Sequence, residues 1–302
     1  MTASFSTWAV LAVFYAVFLS QIVLISIYYP AKVRRRVLHI LDHYPPDQYP
    51  KLYPDPLDIY AELARRTRLR TYRFVNLAIA ALGLMVLAAM LVTAYRPDPK
   101  GGDEILVVIY FFVQMAPLIY AEVKEFNQYR LMRAAYSAPL RQADLKPRRL
   151  FDFVSPVYVF AAVVMYVVWM ATYLFGLDPA SPWSAEVVLS MIGVTAMNVL
   201  FAWAIARAIG GKKPNPHQAH ADRLKQIEVV TKSLIFGSIM VSFFLIVTQL
   251  ADQHDWEIFD PPLTSLYLQL AAVFGIGLTL RSIKVDEVDF EVYKEKAQEQ
   301  MA

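Results

Sequence analysis

Four carboxamides stand on otherwise apolar stretches of this chain: Gln21, Gln114, Asn198 and Gln269. An amide donates and accepts hydrogen bonds without carrying charge. Within hydrocarbon it can tie neighbouring helices together, at under about 1 kcal/mol per bond on average. It can also line a polar pocket that accepts a neutral headgroup or small solute. Pro117 follows Gln114 by three residues, and its ring and missing N–H are expected to open the helix there. Together Gln21, Gln114, Pro117, Asn198 and Gln269 form the candidate polar pocket.

Other groups offer less. His39 and His43 lie four apart with Asp42 between them, a spacing that suits two metal ligands but supplies no third. An exposed helix face is the expected role, and neither a metal nor a cofactor is expected. Glu122 and Glu125 could form a carboxylate pair, but neighbouring Lys124 and Arg130 favour ion pairing. His217 and His220 fall in a Pro/Asn-rich turn. Phosphate-binding glycine loops, metalloprotease His pairs and nucleophile elbows are missing, and Gly275 and Gly277 sit inside an apolar run rather than after a strand. An enzyme working at the membrane surface would have only His39, Glu122 and Glu125 to use, so the reading leans away from catalysis.

The elements that must position these residues are set by hydropathy. The chain has 302 residues, of which 57% are hydrophobic and 18% charged, too apolar for an ordinary soluble domain. Seven stretches are long enough to cross a hydrocarbon core of about 30 Å: 8–29, 74–95, 104–121, 154–175, 186–206, 233–250 and 263–280. Each must be helical, because lipid offers no partner for an open backbone group. No Asp, Glu, Lys, Arg or His stands in the middle of any of them. Proton-coupled carriers, pumps and voltage sensors keep an ionisable group at depth. A retinal protein would need a lysine in the last stretch, which has none.

Charge then orients the spans. Of 29 Lys and Arg residues, all but Arg96 and Lys100 fall in 30–73, 122–153, 207–232 and 281–302. The positive-inside rule makes these four segments cytoplasmic, with the N-terminus out and the C-terminus in. The expected fold is an all-α integral membrane protein of seven transmembrane helices. One lone helix precedes three outward hairpins, and helical extensions build a cytoplasmic layer. The first stretch is expected to stay as a reverse-oriented anchor, since its positive cluster follows it. There are no cysteines, which excludes disulfides and thiolate chemistry.

The cytoplasmic face carries Arg34, Arg35, Arg36, Arg65, Arg66, Arg148 and Arg149 beside Tyr44, Tyr49 and Tyr53. These residues are expected to meet anionic headgroups or a protein partner, not nucleic acid. Repeated Tyr-Pro pairs predict an extended aromatic strip over 44–56, with a break at Tyr29-Pro30 before a short helix. Asp58 is the expected cap of the next, basic helix. Trp8, Trp169, Trp183 and Trp256 are expected to form an outer interfacial belt. Phe74-Val75-Asn76 and Phe153-Val154-Ser155, 79 residues apart, hint at a duplicated hairpin. Small residues at four-residue spacing, Ala202, Ala206 and Gly210 after Asn198 and Ala271, Gly275 and Thr279 in the last stretch, predict close helix packing and self-association or a membrane-protein complex.

Tyr44-Pro45, Tyr49-Pro50 and Tyr53-Pro54 in 44–54, Lys146-Pro147-Arg148-Arg149 in 145–156 and Asn215-Pro216-His217 in 215–219 resemble segments of a family of bacterial multi-pass membrane proteins. The resemblance covers most of the chain, implies a bacterial inner membrane, and supplies no activity, ligand or site. The expectation is a non-catalytic scaffold, assembly or accessory subunit acting through its basic cytoplasmic face. The alternative is a transporter, channel or lipid-binding protein using the carboxamides.

Overall fold

The computed structural model describes residues 4–54, 61–93, 95, 104–135, 147–175, 185–254 and 256–294. Among these the regular structure is all helical, with no strand. The helices are α1 (Ser4–Gln21), α2 (Tyr29–His43), α3 (Ala61–Val92), α4 (Glu104–Ala135), α5 (Pro156–Phe175), α6 (Ala185–Gly210), α7 (His220–Gln253), α8 (Asp260–Ala272) and α9 (Leu278–Ser282). Seven helical runs are long and apolar enough to cross a membrane: the runs from α1 through α2 and from α8 through α9 count as one each. Asp58 and the loops 96–103 and 176–184, expected to face outward, lie outside the described residues.

The first helix departs from expectation at Tyr29-Pro30. It does not break there. A π-helical turn, Ile22–Tyr28, joins α1 to α2, and the Tyr29 N–H reaches back five residues to Leu24 O. Pro30 has no N–H to give and its ring would press on the carbonyl four residues earlier. The wider turn just before it lets the helix continue past the proline. A second π turn, Val273–Gly277, joins α8 to α9.

This first helix, expected to stand outside the hairpins, is packed deeply into the bundle. It is the most enclosed of the seven, with 44% of its apolar window buried against 0% for α6. Phe14, Phe18 and Ile22 pack against Ala80 and Leu87 of α3 and Val107 and Tyr110 of α4. On another side Ile25 and Tyr29 meet Ala272. Gly277 permits a close approach there: a Cβ on it would lie 2.5 Å from the Tyr29 hydroxyl. Of the three expected hairpins, α3 packs on α4 and α7 on α8, whereas α5 and α6 both lie mainly against α7. A Tyr166–Thr195 hydroxyl bond of 2.7 Å links α5 to α6 directly.

Trp169 does not belong to an interfacial belt. It is 1% exposed and packs in a cluster with Val194 and Val241. Trp256 is exposed; Trp183 and the Trp8 side chain lie outside what is described. The 79-residue likeness is not a structural repeat either. Phe74 to Asn76 stand inside α3, while Phe153 to Ser155 follow a 3-10 turn, Leu150–Asp152, because Pro156 starts a new helix there.

Candidate functional site

Three of the four carboxamides meet. Gln21 Nε2 donates to Gln114 Oε1 at 2.9 Å, and Gln114 Nε2 donates to Ser26 Oγ at 2.9 Å. Ser265 Oγ donates to Gln21 Oε1 at 2.6 Å. One turn further along α8, Gln269 Nε2 donates to Val17 O at 2.9 Å and its Oε1 accepts from Ser20 Oγ at 2.9 Å. The network thus joins α1, the π turn, α4 and α8. Gln21, Ser26 and Ser265 are essentially sealed from solvent. Each carboxamide has both its donor and its acceptor engaged, as burial in an apolar bundle requires.

Asn198 is elsewhere. Its Nδ2 returns to Val194 O at 3.0 Å, and its Oδ1 accepts from Ser238 Oγ at 2.5 Å. It tethers α6 to α7 and takes no part in the three-helix network. Its residue type matches the others, but α6 packs on α7 rather than on the first helix. Pro117 does not interrupt α4, which runs unbroken from Glu104 to Ala135. The crevice beside Gln114, bounded by Ile25, Tyr29, Asn76 and Met115, amounts to about 10 Å³. That is scarcely room for one water.

The strongly basic end is built as a folded layer. The strip after α2 is not extended: Pro45 and Pro50 open successive turns, closed by Tyr49 N–H on Pro45 O at 3.0 Å and Tyr53 N–H on Pro50 O at 2.9 Å. Proline presets the backbone for such turns. Tyr49 and Tyr53 are therefore buried, with Leu41, Phe290 and Tyr293, rather than displayed to a partner. Tyr44 stacks on Phe290 at 3.8 Å and receives the Tyr53 hydroxyl on its carbonyl at 2.6 Å. Burial pushes the Tyr44 hydroxyl above its usual range, and pushes Tyr293 up to about 12.

Several connections close this layer. Gln128 of α4 donates to Leu52 O at 2.9 Å, and Arg133 donates to Lys213 O and Pro214 O at 2.5 and 2.6 Å. Asn215 donates to the Tyr293 hydroxyl at 2.6 Å. Glu287 joins Lys225 and Lys284, which hold its carboxyl down at about 2. His217 packs edge-on to Tyr293, and its pKa is lowered by burial first and by Lys51 second. Buried Arg223 donates to Ala208 O at 2.9 Å and Gly211 O at 3.3 Å, capping the end of α6.

The remaining arginines divide. Arg65 lies over the Tyr53 ring at 4.2 Å, and Arg66 pairs with Asp42 at 2.7 Å. Arg149 is tied to Asp152 through its backbone, its N–H donating to Asp152 Oδ2 at 2.8 Å and its carbonyl accepting from Asp152 N–H at 3.1 Å, and Arg35 Nε donates weakly to Ala31 O at 3.4 Å. Arg36 is half-buried on α2, and Arg148 is likewise half-buried and engaged. Arg34 instead joins Arg70, Arg73, Phe74 and Leu77 around an open groove of about 360 Å³. His43 Nδ1 meets His39 O at 2.9 Å and His39 faces Asp286 at 3.4 Å. Among the described residues no cluster of His, Asp or Glu could hold a metal. Glu125 accepts the Tyr129 hydroxyl. The roles of Ser26, Ser265, Arg133, Arg223 and Tyr293 had no sequence signal beyond residue type, because each depends on which helices become neighbours.

Fold and apolar length together define a multi-pass helical membrane protein. No protein-family model, curated protein or solved structure matches this chain.

Proposed function

We propose that this protein is a non-catalytic scaffold or accessory subunit of a bacterial inner membrane, with its N-terminus outside and its basic layer in the cytoplasm. One observation carries the reading: Gln21, Gln114 and Gln269 have their donors and acceptors engaged by one another and by neighbouring helices, and the crevice beside them, about 10 Å³, is too small for a transported solute. A carrier reading would need that volume.

Two further features support a role in assembly. Helix α6 packs one face on α7 and leaves the other uncovered within the chain, and Ala202, Ala206 and Gly210 are on its exposed surface. Small residues at that spacing let a second helix approach closely. The basic end, with 44–54, 211–219 and 283–294 interlocked, is a defined surface rather than a set of loose loops. The orientation follows from the 27 basic residues on that side. The resemblance noted for 44–54, 145–156 and 215–219 agrees with a bacterial inner membrane.

The test is stoichiometry within the membrane. Single cysteines at Ala202, Ala206 or Gly210, introduced into this cysteine-free chain, should cross-link to a second copy or to another subunit in native membranes. Strictly monomeric protein in lipid nanodiscs, with no cross-link from any of the three positions, would refute the proposal.

A further inference from the structure

On α3, Arg70, Arg73, Phe74 and Leu77 follow one another at i, i+3, i+4 and i+7, so they share one helix face. That face changes character along the axis. Its first turn is cationic and its second apolar. Phe74 is 73% exposed and Leu77 44%, and both stand where the basic end gives way to the apolar span. Arg34 of α2 closes the groove from the other side. None of the ion pairs described involves Arg34, Arg70 or Arg73, in contrast to Arg66, which Asp42 neutralises. The Arg34 Nε is shielded from solvent yet has no acceptor among the described residues.

Three guanidiniums lining one groove, with no carboxylate paired to them among the described residues, repel, and a buried donor without an acceptor is costly. Both are relieved by an anion whose oxygens accept paired N–H bonds, for which guanidinium and phosphate are matched in shape. A free anion would leave Phe74 and Leu77 without a role. An amphiphile uses both halves: phosphate against the arginines, acyl chain along the phenyl ring and the leucine. We infer that Arg34, Arg70 and Arg73 with Phe74 and Leu77 form a binding site for the headgroup and proximal acyl chain of an anionic phospholipid. Three cations favour a headgroup with two phosphates over one with a single phosphate. The inference rests on the proposed function only in setting the basic end at headgroup level.

Native mass spectrometry of the full chain, released from micelles carrying equimolar phosphatidylcholine, phosphatidylglycerol and cardiolipin, tests it. The wild type should retain one cardiolipin at least tenfold more tightly than phosphatidylcholine, with phosphatidylglycerol between. Arg70→Gln/Arg73→Gln should lose that preference about tenfold. Arg68→Gln/Arg130→Gln, with the same charge change outside the groove, should keep it. Phe74→Ala/Leu77→Ala should weaken lipid retention while leaving any phosphate binding unchanged. Equal losses in the two arginine pairs would reduce the effect to diffuse attraction and overturn the site. So would displacement of the lipid by millimolar inorganic phosphate, or equal retention of all three lipids. The same spectra report oligomeric state, so failure of the lipid site and failure of the scaffold reading appear as separate changes.

Discussion

Replacing Gln21 by leucine would probe the centre of the bundle with little change of side-chain volume. The position is fully buried, so no water can compensate. Leucine removes the donor at 2.9 Å to Gln114 Oε1 and the acceptor at 2.6 Å for Ser265 Oγ. Interhelical hydrogen bonds in membranes average about 0.6 kcal/mol and reach about 1.7, so losing both should cost about 1–3 kcal/mol. Reversible unfolding in mixed micelles, titrated with a denaturing detergent and followed by far-ultraviolet circular dichroism, gives the difference. A cycle with Gln114→Leu adds specificity. The second substitution should cost about 1 kcal/mol less on the Gln21→Leu background, because the shared bond is already gone. Asn198→Leu, in its separate α6–α7 contact, should add independently. A Gln21→Leu change within about 0.3 kcal/mol of wild type, or strict additivity with Gln114→Leu, would refute the network as a source of stability.

Three other outcomes are expected. Arg223→Met, which strips the cap from Ala208 O and Gly211 O, should cost about 1–3 kcal/mol and raise amide exchange just after α6. Gly277→Ala should destabilise by about 1–3 kcal/mol, and Tyr29→Phe should recover most of this, because the nearest atom then recedes from 2.5 to 3.3 Å. His217 should make the basic layer acid-sensitive. Its pKa is depressed in the folded state, so its contribution is present above the unfolded value of about 6.5 and lost as pH falls toward the folded one. Proteolysis of 211–219 should accelerate between pH 8 and pH 5 in wild type and lose that dependence in His217→Gln.

Hydropathy alone located the seven membrane-length helices, since an apolar run in lipid has no conformation but the helix. It could also identify the carboxamides as the unusual residues. Which of them meet was not legible. Gln114 and Asn198 look alike in sequence, yet one faces the first helix and the other faces α7, and only the order of helices around the bundle separates them. The tyrosines misled for a related reason. Tyr-Pro pairs read locally as extended chain, but Phe290 and Tyr293, more than 230 residues away, turn the strip inward. Trp169 was read by depth when azimuth decided its surroundings. Arg70 and Arg73 counted only toward net charge until Arg34 was placed opposite them.

The two π turns, Ile22–Tyr28 and Val273–Gly277, lie on neighbouring spans that touch through Tyr29 and Gly277. Each holds a surplus residue relative to an α turn. Excising that residue from either would let the turn rewind to α while the helix on each side keeps its phase, whereas the same deletion inside an unbroken α span such as α3 would rotate everything beyond it by about 100°. Gln21 upstream and Tyr29 and Leu41 downstream would keep their facing. Slack in chain length is thus stored where a span can give it up, and a single-codon deletion at Val273–Gly277, where no proline follows, should be tolerated better than one within α3.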